Sequence, residues 1–113
     1  MMEFSVILEP ENIGGDWLLK GRCITDLFVN GRFTELVRFD FPENGTQENL
    51  PIEGETWEVD LKIEKISAYQ HEFEKINAGM TAAVTVSGDG EKLASNWLAP
   101  SKLNVCVLRG RMD

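Results

Sequence analysis

The stretch Thr56–Leu93, TWEVDLKIEKISAYQHEFEKINAGMTAAVTVSGDGEKL, decides the fold. Trp57, Val59, Leu61 and Ile63 fall on one side and Glu58, Asp60, Lys62 and Glu64 on the other, the two-residue period of a strand with one buried face. Glu and Lys are good helix formers, but the 3.6-residue stripe of a helix fits these apolar positions poorly. Asn77-Ala78-Gly79 interrupts the pattern. It resumes from Met80 to Ser87, with Met80, Ala82, Val84 and Val86 against Thr81, Ala83, Thr85 and Ser87, and Gly88-Asp89-Gly90 ends it.

Upstream, Glu3 to Glu9 alternates through Phe4, Val6 and Leu8 and stops at Pro10, which cannot extend a hydrogen-bonded ladder. Asn12-Ile13-Gly14-Gly15 reads as a turn. Asp16 to Val29 then reads as strand, with Asn30-Gly31 as a tight hairpin turn and Arg32 to Phe41 as the returning partner. In that partner Phe33, Val37, Phe39 and Phe41 share a face, with Leu36 out of phase. Pro42 to Gly54 is loop chemistry. Between the two halves of the opening stretch, His71 to Ile76 reads as a short strand or turn. Downstream, Glu91 to Ala99 has room for one helical turn before Pro100, and Leu103 to Arg109 forms a last strand through Leu103, Val105 and Val107. Short strands, regular turns and no long helix indicate an all-β barrel or sandwich. The 113 residues and 42% hydrophobic content suit one domain over 1–113.

The net charge of -8, from 19 acidic and 11 basic residues, disfavours nucleic acid and anionic membranes as partners. No run approaches the roughly 18 apolar residues of a membrane span. The start MMEFSVILEPEN has no basic region followed by a long apolar stretch, so the expected location is the cytoplasm, with Cys23 and Cys106 reduced. Both cysteines lie in strand-like runs, as small buried thiols do, and a bridge between them requires that their strands be neighbours.

Catalytic chemistry finds little support. His71 is the single histidine, which leaves no His-based metal cluster. A thiol and imidazole pair needs Cys23 or Cys106 beside His71, and both thiols read as core. The sequence points to no catalytic residue, no metal ligand and no cofactor. The most acidic region, with Glu43, Glu48, Glu53, Glu55, Glu58 and Asp60, lacks the closely spaced oxygen ladder of a calcium loop and reads as a surface for a basic protein. Trp17, Trp57 and Trp97 suit core packing. Trp97, in a connection after Ser95-Asn96, is the one most open to a binding role.

Several segments resemble the second domain of translation GTPases of the elongation factor Tu type. They are Ile63-Glu64-Lys65-Ile66, Glu74-Lys75-Ile76-Asn77-Ala78-Gly79, Met80 to Val86 with Ser87-Gly88, and Leu98-Ala99-Pro100. Ile24-Thr25-Asp26-Leu27-Phe28-Val29-Asn30-Gly31-Arg32 is similar to the opening strand of that domain, and Glu53-Gly54-Glu55-Thr56-Trp57 to the start of its next one. The resemblance implies a single antiparallel barrel of about six to eight strands and a docking role. In the family this domain contacts the GTPase domain and the acceptor end of tRNA. No Gly-x-x-x-x-Gly-Lys-Ser/Thr loop is present, so the family's nucleotide chemistry is not implied. The leading expectation is a non-enzymatic protein-binding barrel, an immunity-type or regulatory protein, monomeric or weakly dimeric, whose acidic face docks a basic partner. The alternative is a barrel that binds RNA or a translation component, with Arg22, Arg32, Arg38, Lys102, Arg109 and Arg111 converging on one face.

Overall fold

The computed structural model describes residues 1–41 and 52–112. The strands are β1 (Met2–Val6), β2 (Glu11–Ile13), β3 (Asp16–Cys23), β4 (Leu27–Phe28), β5 (Arg32–Asp40), β6 (Ile52–Ala68), β7 (His71–Phe73), β8 (Lys75–Ile76), β9 (Thr81–Gly88) and β10 (Asn104–Arg111). One short helix, α1 (Gly90–Asn96), lies between β9 and β10.

The main sheet runs β1-β10-β5-β6-β9-β3, and β3 pairs back onto β1, so six antiparallel strands close into a ring. Closure satisfies the backbone groups that an open sheet leaves at its edges. β2 adds to β3, β7 adds to β6, and β4 pairs with β8 as a separate ribbon. Inside, Phe4, Val6, Leu19, Phe33, Leu36, Leu61, Ile63, Ile66, Val84, Val86 and Leu108 are fully buried in one cluster. The Phe4 and Phe33 rings stack with centroids 6.3 Å apart.

β6 keeps its odd-numbered face inward through Val59, Leu61 and Ile63. A register shift between Ile63 and Lys65 then turns Ile66 and Ala68 to the core, because one extra residue reverses every later side chain. A second irregularity corrects the expectation for β5. There Phe33 and Leu36, three apart, enter the main cluster, because the ladder to β6 shifts between Phe33 and Glu35. Phe39 stays half-buried. In β10 the expected inward face is reversed: Cys106 and Leu108 join the cluster, Leu103 is exposed, and Val107 is buried opposite Val37 on the other face.

Asn30 has φ 72° and Gly31 N–H donates to Phe28 O at 3.1 Å, as a turn requires. The expected hairpin does not form, since β5 pairs with β10 and β6 while β4 pairs with β8. The segment expected as one strand from Asp16 to Val29 is divided at Ile24-Thr25-Asp26. Likewise Asn12 and Ile13, expected as the start of a turn, belong to β2, which returns onto Asp16-Trp17-Leu18. Ile52, Glu53 and Gly54, expected as loop, already belong to β6. The rest of that expected loop falls outside the described residues.

α1 covers one end of the ring. Leu93 is fully buried in the core, and Gly90 lies so close to the Trp17 ring that a Cβ there would collide with it. Asp89 caps the junction from both sides, its N–H donating to Asp60 O at 3.0 Å and its Oδ2 accepting from Asp60 N–H at 3.0 Å. Beyond the helix, the Trp97 indole N–H donates to Val6 O at 2.9 Å.

The β1–β3 seam leaves no room for a side chain at Gly21, where a Cβ would meet the Ser5 carbonyl. Gly21→Ala should therefore cost at least about 2 kcal/mol, since overpacking against backbone cannot be relieved by a rotamer change. Urea unfolding of the two proteins checks this.

Candidate protein-binding surface

The acidic residues of β6 alternate in their surroundings because the strand does. Asp60 and Glu58 point outward, while Glu55 follows the parity of Trp57 toward the covered end of the ring. A register shift between Val37 and Phe39 sets Glu53 opposite Phe39. Three of these carboxylates meet arginines of the same chain. Asp60 Oδ1 accepts from Arg32 Nη1 at 2.7 Å, and Glu53 Oε1 lies 3.2 Å from Arg109 Nη1. Glu55 Oε1 lies 3.8 Å from Arg38 Nη1.

Each arginine is also held by other groups. Arg109 lies over the Phe39 ring at 5.1 Å and reaches Glu3 Oε2 at 3.3 Å. Arg38 lies over the Trp57 ring at 5.0 Å and its Nη2 donates to Asn96 O at 3.5 Å, while its Nε is buried without a hydrogen-bond partner. The Arg38 side chain thus stacks as a flat cation between the Trp57 ring and the end of α1.

Glu58 differs from its neighbours. It sits directly opposite Glu35 across the β5–β6 ladder, and among the described residues neither has an ion pair. Like charges opposite one another on a sheet are destabilising, by roughly 0.2–1 kcal/mol. The pair lines an open groove of about 550 Å³, together with Thr34, Asp60, Arg32 and Arg111. Glu35 could not be read from the sequence as part of this site. Its position opposite Glu58 depends on the irregular register beside it, and no local pattern announces that.

Glu43 and Glu48 lie outside the described residues. Trp97 does not stand free for a binding role: it is half-buried against the core with its indole N–H engaged by the Val6 carbonyl. Of the cations required for an RNA face, Arg38 is at the covered end of the ring, Arg32 and Arg109 hold carboxylates, and Arg22 is on β3, across the ring from β5. These four do not form one open basic surface.

Both thiols are fully buried, whereas His71 is exposed on β7, so the thiol and imidazole are not assembled into a common accessible site. β1 runs between β3 and β10, and residues two strands apart are roughly 10 Å from each other, too far for a bridge between Cys23 and Cys106. Among the described residues no three His, Cys, Asp or Glu side chains group as metal ligands. No helix among them is long and apolar enough to cross a membrane. No family model, curated protein or solved structure matches the chain.

Burial, with a smaller contribution from the nearby Asp26 carboxylate, pushes the Cys23 thiol from its ordinary 9.0 up to about 11. Native protein at pH 8 should resist alkylation at Cys23, and urea should expose the thiol. Because the folded value is the higher one, the stability from the neutral thiol is complete below pH 9 and is lost as the pH rises through 11. Subtracting the unfolding free energy of Cys23→Ala across pH 8–11 isolates that slope.

Proposed function

We propose that the chain is a non-enzymatic protein-binding module that docks a basic partner on the outer face of β5 and β6. The observation that carries this reading is the unpaired Glu35–Glu58 opposition at the floor of an open groove. A guanidinium or ammonium group placed between the two carboxylates would turn repulsion into a charge-assisted contact. Asp60 lines the same groove and holds Arg32 in an exposed ion pair, which contributes little to stability and exchanges readily for a partner's cation. The net charge of -8 would steer such a partner toward the chain.

Immunity-type and regulatory proteins that cover a basic surface use this physics. A monomer or weak homodimer in the cytoplasm fits the same reading. Binding to RNA or a translation component, which the resemblance to the elongation factor Tu second domain suggests, has less support, because the arginines it requires are engaged by carboxylates or divided between faces.

Capture from a cell lysate at ~0.1 M and ~0.5 M salt tests the proposal, with mass spectrometry and RNA sequencing of what is retained. A basic protein should be held at low salt, released at high salt, and reduced at least tenfold with a Glu35→Gln/Glu58→Gln bait. The variant should also be slightly more stable than the natural chain, by about 0.2–1 kcal/mol, since it removes the like-charge pair. Equal retention by both baits, or enrichment of tRNA in place of a basic protein, would refute it.

A further inference from the structure

Next to β6 in the ring, on β9 and β3, lies a face of opposite character to the one around Glu35 and Glu58. On β9 the outward residues Thr81, Ala83 and Thr85 are all small, and the register sets Arg22 opposite Thr81, Lys20 opposite Ala83, and Ser67 of β6 on the far side of Ala83. The result is a trough along β9 with cations on its β3 side. Among the described residues Lys20 and Arg22 have no carboxylate partner, in a chain whose acidic groups outnumber its basic ones 19 to 11. The trough widens into a groove of about 590 Å³ lined by Leu8, Lys20, Ser67, Tyr69, Thr81 and Ala83.

Two apolar side chains there gain nothing from the fold. Leu8 is 54% exposed and Tyr69 is 75% exposed. Tyr69 is also held in a backbone conformation that suits it poorly: Tyr69 and Gln70 form the two-residue turn between Ala68 and His71, with φ 51° and 67°. Both central positions of this turn favour Asn and Gly, because a Cβ crowds the backbone at positive φ. Neither burial nor turn geometry therefore accounts for an aromatic ring at Tyr69. Strain of this kind, where it persists, is characteristic of binding segments.

We propose that this groove binds an extended acidic peptide segment, with an apolar side chain seated between Leu8 and Tyr69 and flanking carboxylates on Lys20 and Arg22. The small residues of β9 let a backbone approach the sheet closely, and the unpaired cations select negative charge. Single-stranded nucleic acid fits less well. The walls are one aromatic ring and one aliphatic side chain where bases need a series of flat rings, and the overall charge opposes a polyphosphate.

Fluorescence polarisation with a short labelled peptide alternating Glu and Leu tests this on the full chain. The peptide should bind in a salt-sensitive manner, and replacing its Leu residues with Gln should weaken binding at least tenfold. Lys20→Glu, an exposed change that the fold tolerates, should do the same. Tyr69→Asn combined with Gln70→Gly gives the sharpest readout: the thermal midpoint should rise as the turn relaxes, while peptide affinity falls at least fivefold. The proposal is overturned if the natural chain ignores the peptide, if the relaxed turn binds it undiminished, or if a uridine oligonucleotide binds more tightly. The Glu35 and Glu58 variants leave this face intact, so this groove and the acidic docking surface stand or fall separately.

Discussion

The five residues of β1 hold both seams of the ring. Met2 to Ser5 pair with β10, and Phe4 to Val6 pair with β3, so one short strand converts a curled sheet into a closed one. Its alternation carries Met2, Phe4 and Val6 into the core, where Phe4 stacks on Phe33 of the distant β5. A six-stranded ring is narrow, and its interior is filled by side chains from every strand. Close approach is the consequence at both flanks. Gly21 lies against the Ser5 carbonyl on β3, and Gly110 of β10 lies against the Arg32 carbonyl of β5. Larger residues at either place would force the strands apart where closure depends on their contact.

Curvature of this degree also explains why the ladders do not run in uniform register. The shifts between Phe33 and Glu35, between Ile63 and Lys65, and between Arg109 and Gly110 each give one strand an extra residue and bend it. The first of them has an electrostatic consequence. By bringing Leu36 inward, it sets Glu35 outward and opposite Glu58. A like-charge pair on the surface thus follows from the same irregularity that fits two apolar residues, Phe33 and Leu36, into the core.

The alternation of β9 and of β6 from Trp57 to Ile63 was legible, because a long strand with one wet face repeats its pattern often enough to exclude a helix. The all-β class followed from it. What escaped was whatever depended on partners distant in the chain. Asn30-Gly31 has the chemistry of a hairpin turn and makes a turn, yet the strands it separates prefer other neighbours. Leu103, Val105 and Val107 alternate as well as Cys106 and Leu108 do, so the inward face of β10 could not be chosen from its own residues. It is set by pairing with β1 and β5. Trp97 likewise looks available in a connecting segment, until closure places the Val6 carbonyl beside its indole N–H.

Charge is distributed with more order than the net value of -8 suggests. Arg32, Arg38 and Arg109 are engaged by carboxylates of β6, so the most acidic stretch of sequence is partly neutralised where it folds. Among the described residues Lys20 and Arg22 on β3 are left without such partners. A closed ring fixes these two faces relative to each other, since its strands cannot slide or rotate independently of one another. The molecule therefore presents an approaching partner with a field that differs by direction, and a charged partner is oriented before any contact forms. Exchanging the charges of one face would redirect that approach without touching the apolar core that holds the ring closed.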